Sequence, residues 1–198
     1  MFRKLLRLAV VLLLAGGIFP NVKAQKWEIH PYAGGFFPRE ADFGELKNEG
    51  VYGLKGSVNL TDVFELEGNF GYINHFRAEA VDTPSRSTLF EAAGNFQFPW
   101  GRLHPFATAG FGAMRATIDE DLLDPNSGGL DSVNLLGNRL DNGDTFFMFS
   151  YGGGVKAERL WGPIGLRGDI RGRTLPNMFG DSLTWLETTG GVTISWGE

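Results

Sequence analysis

The sequence predicts an all-β chain folded as an eight-stranded antiparallel up-and-down transmembrane β-barrel. Three observations predict it. Apolar and polar residues alternate with period two over repeated stretches of about ten residues, the length a tilted strand needs to cross a bilayer. Between those stretches, long polar connections alternate with tight turns. Aromatic residues gather in two bands that flank an apolar zone.

The chain begins with a different kind of segment. Met1 to Ala24 reads as a secretory signal peptide: Arg3, Lys4 and Arg7 are its basic region, and Leu8 to Phe19 its apolar core. Val22-Lys23-Ala24 places small residues for cleavage before Gln25. The apolar run is about twelve residues, short of the roughly twenty that a membrane-spanning helix requires. The barrel domain is therefore expected over residues 25–198. Taking the segment's four bases (Arg3, Lys4, Arg7, Lys23) from the chain's 18 leaves 14 against 23 acids, a formal charge of −9. That balance excludes nucleic acid as a partner, because phosphate binding needs a basic footprint. There is no cysteine, so an exported chain has to be held by strand pairing rather than by disulfides.

The first strand is expected at Trp27 to Phe37, with Trp27, Ile29, Ala33 and Phe37 opposite Glu28, His30 and Tyr32. Pro31 interrupts it, as an edge or bulge tolerates. After the polar stretch Pro38 to Gly50, Tyr52 to Tyr72 has the pattern of a hairpin. Tyr52, Leu54, Gly56, Val58 and Leu60 make one face of its first arm, and Lys55, Ser57 and Asn59 the other. In the second arm Phe64, Leu66, Gly68, Phe70 and Tyr72 oppose Glu65, Glu67 and Asn69. The polar sets of both arms carry odd numbers, so the turn around Leu60 to Val63 must hold an odd number of residues or a bulge.

A polar stretch, Asn74 to Arg86, leads to the fourth strand, Thr88 to Phe98, where Phe90, Ala92, Gly94, Phe96 and Phe98 oppose Glu91, Asn95 and Gln97. A tight turn at Pro99-Trp100-Gly101-Arg102 precedes the fifth, Leu103 to Ala116. Its faces stay open, because Ala107, Ala109 and Phe111 compete with Phe106, Gly110 and Met114. Thr117 to Asp144 reads as a long acidic loop. The sixth strand, Phe146 to Glu158, sets Phe147, Phe149, Tyr151, Val155 and Ala157 against Ser150, Lys156 and Glu158. After a tight turn, Arg159 to Gly162, the seventh sets Ile164, Leu166, Gly168 and Ile170 against Arg167, Asp169, Arg171 and Arg173. A loop around Leu175 to Asp181 precedes the last strand, Leu183 to Trp196. The connections run long and short in turn, which puts both termini on the periplasmic side.

Alternation alone does not say which face meets lipid. A soluble ligand-binding barrel would bury the apolar set instead. Two features favour the membrane arrangement. Trp27, Phe64, Phe98, Trp100, Trp161 and Trp196 fall at one level, and Phe37, Tyr52, Tyr72, Phe90 and Phe147 at the other, like the two aromatic girdles of a membrane barrel. The polar face carries both signs: Lys55, Glu65, Glu67, Glu91, Lys156, Glu158, Arg167, Asp169, Arg171 and Glu187. In the narrow interior of an eight-stranded barrel those charges have to pair into a network. Leu54, Val58, Leu66 and Phe70 then face lipid, and Lys55 and Glu67 the lumen.

The hairpin GLKGSVNLTDVFELEGNFGY, the strand RLHPFATAGFGA and the final VTISW resemble the OmpA/OmpX-type small outer-membrane barrels. The resemblance implies a bacterial outer-membrane location and surroundings of outer-membrane lipid and lipopolysaccharide. It also implies a monomer inserted by the barrel assembly machinery, which reads the C-terminal strand. Members usually end in an aromatic residue, whereas here Gly197-Glu198 follows Trp196. The expected task is structural or surface-interactive, with a polar, filled interior. The alternatives are a low-conductance pore, a rim enzyme and a soluble periplasmic ligand-binding barrel.

No catalytic, cofactor-binding or metal residues are expected. Of the histidines, His30 lies on a strand near Glu28 and His104 beside a periplasmic turn. His75 opens an outer loop near Arg77 and Glu79, the one place where a rim site is conceivable. Asp119, Glu120, Asp121, Asp124, Asp131, Asp141 and Asp144 offer carboxylates without a calcium-loop spacing, so solvated loop charge is the preferred reading. The row Arg167, Asp169, Arg171, Arg173 suits an anion pore, but pairing with lumen glutamates is the preferred role.

Overall fold

The computed structural model describes residues 26–38, 48–73, 85–118, 144–178 and 181–197. Eight strands follow in chain order: β1 (Trp27–Pro38), β2 (Glu49–Asn59), β3 (Phe64–Ile73), β4 (Ser85–Gln97), β5 (Leu103–Ile118), β6 (Asp144–Trp161), β7 (Ile164–Met178) and β8 (Asp181–Trp196). Each pairs antiparallel with its sequence neighbours, and β8 pairs with β1, so the sheet closes on itself and leaves no edge.

The register fixes the shape. Stepping between paired residues from Trp27 runs through Val58, Leu66, Gly94, Ala109, Tyr151, Gly172 and Leu186 and returns to β1 at Phe37. Closure thus shifts the path by ten residues, from 27 to 37. Ten rises of about 3.3 Å over eight strand spacings of about 4.8 Å tilt the strands by about 40°. Trp27 and Phe37 are then about 25 Å apart in height, the thickness of an outer-membrane apolar band.

Outward positions carry the apolar set. Leu54, Leu66, Phe70, Phe90, Phe149, Val155, Leu166, Ile170 and Ile194 are all exposed. In water such a continuous belt marks an aggregation surface; in lipid it is the favoured arrangement. Trp27 pairs with Trp196 and Phe64 with Phe96 at the turn end. At the loop end the rings of Tyr52 and Tyr72 lie 5.3 Å apart, and those of Phe70 and Phe90 5.2 Å apart. β5, ambiguous in sequence, is settled by its partners: Ala107, Ala109 and Phe111 face out, and Phe106, Thr108 and Met114 are buried inside.

The parity requirement is met in the first hairpin. Asn59 pairs with Glu65, and the Leu60 amide donates to the Phe64 carbonyl, which leaves Thr61-Asp62-Val63 as a three-residue turn. The Thr61 hydroxyl accepts from the Phe64 amide at 2.9 Å. The other two tight turns use glycine where the chain needs positive φ: Gly101 at 64° and Gly162 at 63°.

Several expected boundaries shift. The strands run further toward the loop end than the alternation indicates: Thr117–Ile118 belong to β5, Asp144 to β6, Pro38 to β1 and Glu49–Gly50 to β2. The segment around Leu175 to Asp181 is mostly strand and not a loop. Leu175 pairs with Leu183 and Met178 with Asp181, leaving only positions 179–180 between β7 and β8. A register shift between Leu175 and Met178 accommodates Pro176. The expected turn at Arg159 to Gly162 moves to Gly162-Pro163. β6 reaches Trp161 through a bulge after Ala157, with Arg159 at φ 50°. Residues 1–24, His75 with Arg77 and Glu79, and the acids at 119–141 lie outside the described residues.

Inward glycines let neighbouring backbones and large side chains approach. A Cβ on Gly53 would lie 2.2 Å from the Phe70 carbonyl oxygen and 2.7 Å from the Tyr32 hydroxyl, whereas one on outward Gly56 would meet nothing within 4 Å. Gly53→Val is therefore expected to cost about 1–3 kcal/mol, with Gly56→Ala near neutral. The check is the urea midpoint at which the fast-migrating, unboiled gel band disappears. Equal midpoints for the two variants would remove the close-packing argument.

Candidate functional site

The chemistry of this chain is concentrated inside the barrel. Period-two alternation sends every second side chain inward, and the ten-residue stagger stacks them in layers. Among the described residues, eleven charged side chains are buried there: Lys55, Lys156, Arg167, Arg171 and Arg173, with Glu28, Glu65, Glu67, Glu91, Asp169 and Glu187. The cations come mostly from β7, and the facing carboxylates Glu65, Glu67 and Glu91 from β3 and β4 across the bore.

Arg171 is the centre. Its Nη2 lies 2.6 Å from Glu67, its Nη1 3.0 Å from Glu91 and its Nε 3.2 Å from Asp169. Arg167 bridges Glu67 at 2.7 Å and Asp169 at 3.0 Å. Arg173 joins Glu91 at 2.7 Å to Glu187 at 3.0 Å. Lys55 holds both Asp169 oxygens at 2.8 Å and donates to the Thr189 hydroxyl at 3.1 Å. Nearer the turn end, Lys156 pairs with Glu28 at 2.8 Å and with Glu65. Amides complete the carboxylate shells: Asn95 donates to Glu65 and Glu67, Gln97 to Glu65, and Asn69 to Glu91. The expected mixed-sign network is present. Glu158 departs from it, sitting part-buried at the rim and paired with Lys26.

Two cation–aromatic contacts belong to this network but were not legible as such. The Arg167 guanidinium lies 4.4 Å from the Phe106 ring centre, and the Lys55 ammonium 4.4 Å from that of Tyr32. Tyr32 also donates to Asn69 at 3.0 Å. The sequence left the faces of β5 open, and it is the burial of Phe106 that places its ring inside.

The expectation of a polar interior holds only over part of its depth. Toward the loop end Phe36, Val51, Ile73, Leu89, Met114, Met148, Leu175, Leu183 and Trp185 form an apolar cluster inside the barrel. The rings of Phe36 and Trp185 are 5.4 Å apart. Phe36 is the chain neighbour of Phe37, so this layer lies at the level of the outer aromatic rim and stands between the charges below and the loop end.

His30 is buried in the turn-end half of the interior. Its Nδ1 is hydrogen-bonded to the Thr193 hydroxyl at 2.8 Å and its Nε2 lies 3.2 Å from Glu28. That hydroxyl–histidine–carboxylate row has the order of a nucleophilic triad, but Thr193 is 3 % exposed and has no face open to a substrate. Among the described residues Glu28, His30 and Glu65 bring donor atoms within 4.8 Å of one another, as a metal would need. The Lys156 ammonium reaches both carboxylates and supplies the positive charge there. His104 sits by the turn, against the Gly101 carbonyl at 3.1 Å.

A closed eight-stranded barrel with a lipid-facing apolar belt, two aromatic rims and a charged interior defines an integral protein of the bacterial outer membrane. The family model described as "Outer membrane protein beta-barrel domain" matches residues 9–187, and the chain belongs to that family. Among solved structures it is similar to Neisserial surface protein A, with TM-score 0.63 at 11 % identity, over 87 % of this chain and 97 % of that one. It is also similar to the N-terminal barrel domain of Pseudomonas aeruginosa OprF, with TM-score 0.52 at 18 % identity, over 86 % and 97 %. At those identities the likeness is one of fold. No curated protein matched the sequence.

Removing the central cation leaves three carboxylates buried against one another. Arg171→Ala is expected to destabilise the barrel by about 3–5 kcal/mol, read as a lowered urea midpoint. Arg171→Met, which restores bulk without charge, should recover little of the loss. Full recovery by methionine would mean that packing, and not pairing, holds the centre.

Proposed function

We propose that this barrel has a structural and surface-interaction role in the outer membrane, with an interior that is filled and does not conduct. The observation that carries this reading is the crossing of the bore by Arg167, Arg171 and Arg173 to carboxylates on the opposite wall. A conducting path has to break those pairs, and each broken pair leaves a buried charge that costs several kcal/mol. The apolar layer around Phe36 and Trp185 adds a second obstacle at the loop end. The connections at that end are then the part that meets partners, and no catalytic role is assigned to any residue.

Insertion through β8 by the assembly machinery, and function as a monomer, belong to the same reading. Closure leaves no strand edge for a second chain to extend, and Trp196 ends the last strand with an exposed aromatic. Light scattering in detergent should give one chain per micelle; two would overturn the monomer.

The purified protein in planar bilayers is expected to give no discrete current steps at physiological salt. Reproducible steps that change on neutralising Arg167 or Arg171 would replace this reading with the low-conductance pore.

A further inference from the structure

The turn end of the barrel carries a pattern that the apolar belt does not explain. Two neighbouring segments repeat one pair in mirror order: Trp100-Gly101-Arg102 between β4 and β5, and Arg159-Leu160-Trp161 at the end of β6. Both arginines are exposed. Trp100 at 80 % and Trp161 at 66 % are the most exposed large apolar side chains among the described residues. The strands bring the two segments together. Leu103 pairs with Ala157, and the Glu158 amide donates to the Arg102 carbonyl at 2.8 Å. The backbones of Arg102 and Arg159 are then about 6 Å apart.

These guanidiniums stand outside the ion network. Every residue within five positions of either arginine is described, and the only acid among them is Glu158. Its carboxylate is engaged by Lys26 and His104. Among the described residues, neither arginine has a carboxylate within ion-pair distance. Backbone geometry does not call for Arg159 either, since at φ 50° a glycine would be less strained.

Their height gives the pair a use. With the rise and tilt set by the register, Trp100, Arg102, Arg159 and Trp161 all lie about 5 Å beyond Trp27 on the turn side. The headgroup layer of a bilayer extends about 5–7 Å beyond the hydrocarbon on each side. The arginines therefore stand at the level of lipid phosphates, and the tryptophans have the amphipathic rings that suit that layer. Two guanidinium forks this close can share one phosphate through paired hydrogen bonds. A zwitterionic headgroup would bring its own cation against them; an anionic one would not.

We infer that Arg102 and Arg159 bind the phosphate of an anionic phospholipid in the periplasmic leaflet, with Trp100 and Trp161 packing on either side of its headgroup. The inference rests on the membrane reading and on its orientation, turns toward the periplasm. It adds a charge-selective lipid site at one place on the rim, below β5 and β6.

The test is native mass spectrometry of the protein purified in mild detergent. The probes are phosphatidylglycerol, phosphatidylcholine with the same acyl chains, and inorganic phosphate as a competitor. Phosphatidylglycerol is expected to bind about tenfold more tightly than phosphatidylcholine. Arg102→Gln/Arg159→Gln should abolish that preference while keeping the gel-shift behaviour of a folded barrel. Arg102→Gln alone should lose part of it, and Arg115→Gln, at the opposite end, none. Equal binding of the two lipids overturns the inference, as does an undiminished preference in the double variant. Inorganic phosphate that displaces phosphatidylglycerol at equal concentration would overturn the lipid assignment in favour of a free anion. A protein that extracts without detergent would sink the membrane reading and this site with it, whereas a folded, detergent-bound barrel without lipid preference sinks the site alone.

Discussion

The structure depends on one guanidinium. Arg171 touches carboxylates from three strands, Glu67 on β3, Glu91 on β4 and Asp169 on its own strand β7. β7 and β3 lie on opposite walls, so the contact exists only in the closed barrel. With eight strands and a stagger of ten residues, the bore is narrow enough for an arginine to reach across it. A wider barrel would leave these charges to water. Here they are desolvated together, and mutual pairing is what makes that tolerable.

The interior therefore runs opposite to its surroundings. Beside the hydrocarbon, where the outer wall is Leu, Phe and Val, the inside is ionic. At the outer rim, where the outer wall turns to aromatic rings and threonine, the inside is Phe36, Trp185 and their neighbours. Each apolar layer stands between a polar one and a medium in which that polar layer would be unstable or exchangeable. Lipid excludes water from the sides of the ion network, and the inner apolar cluster separates it from water at the loop end. The network is most shielded where its charges would otherwise be most costly.

Much of this was legible in the sequence, because a barrel writes its faces with period two. Strand number, order and facing were readable wherever alternation was clean, as in Glu65–Asn69 against Phe64–Phe70. Even the odd-length turn at Thr61–Val63 followed from parity. The failures share a cause. β5 mixes small residues on both faces, since Ala107 and Ala109 face lipid while Gly110 and Gly112 give way to Glu91 and the β4 backbone. The loop-end strands were cut short because the inner apolar cluster erases the polar half of the alternation: Leu175, Leu183 and Trp185 do not look inward-facing until closure puts them there. The charge row was visible as mixed signs. Which charge meets which depends on the ten-residue stagger, and no local pattern contains that number.

The row on β7 also bears on why only one register forms. Arg171 and Arg173 follow each other on the same face, about 7 Å apart along the strand, and Asp169 separates Arg171 from Arg167. Alone, such a strand is a line of like charges with one acid among them, and its pairing with β6 and β8 offers chiefly Glu187 as a further partner. Slipping β7 by one residue would turn all four charged side chains into lipid and bring Leu166, Gly168 and Ile170 inside. A slip by two would keep the faces but move Arg171 off Glu67 and Glu91: in one direction Asp169 would take its place against those carboxylates, in the other Arg171 would take the place of Asp169 beside Lys55. Apolar packing on the lipid side distinguishes such registers weakly, since one branched side chain fits acyl chains much as another does. The ion network distinguishes them strongly. A polar interior that adds little net stability over an apolar one thus supplies what the lipid-facing belt lacks, a single way to close.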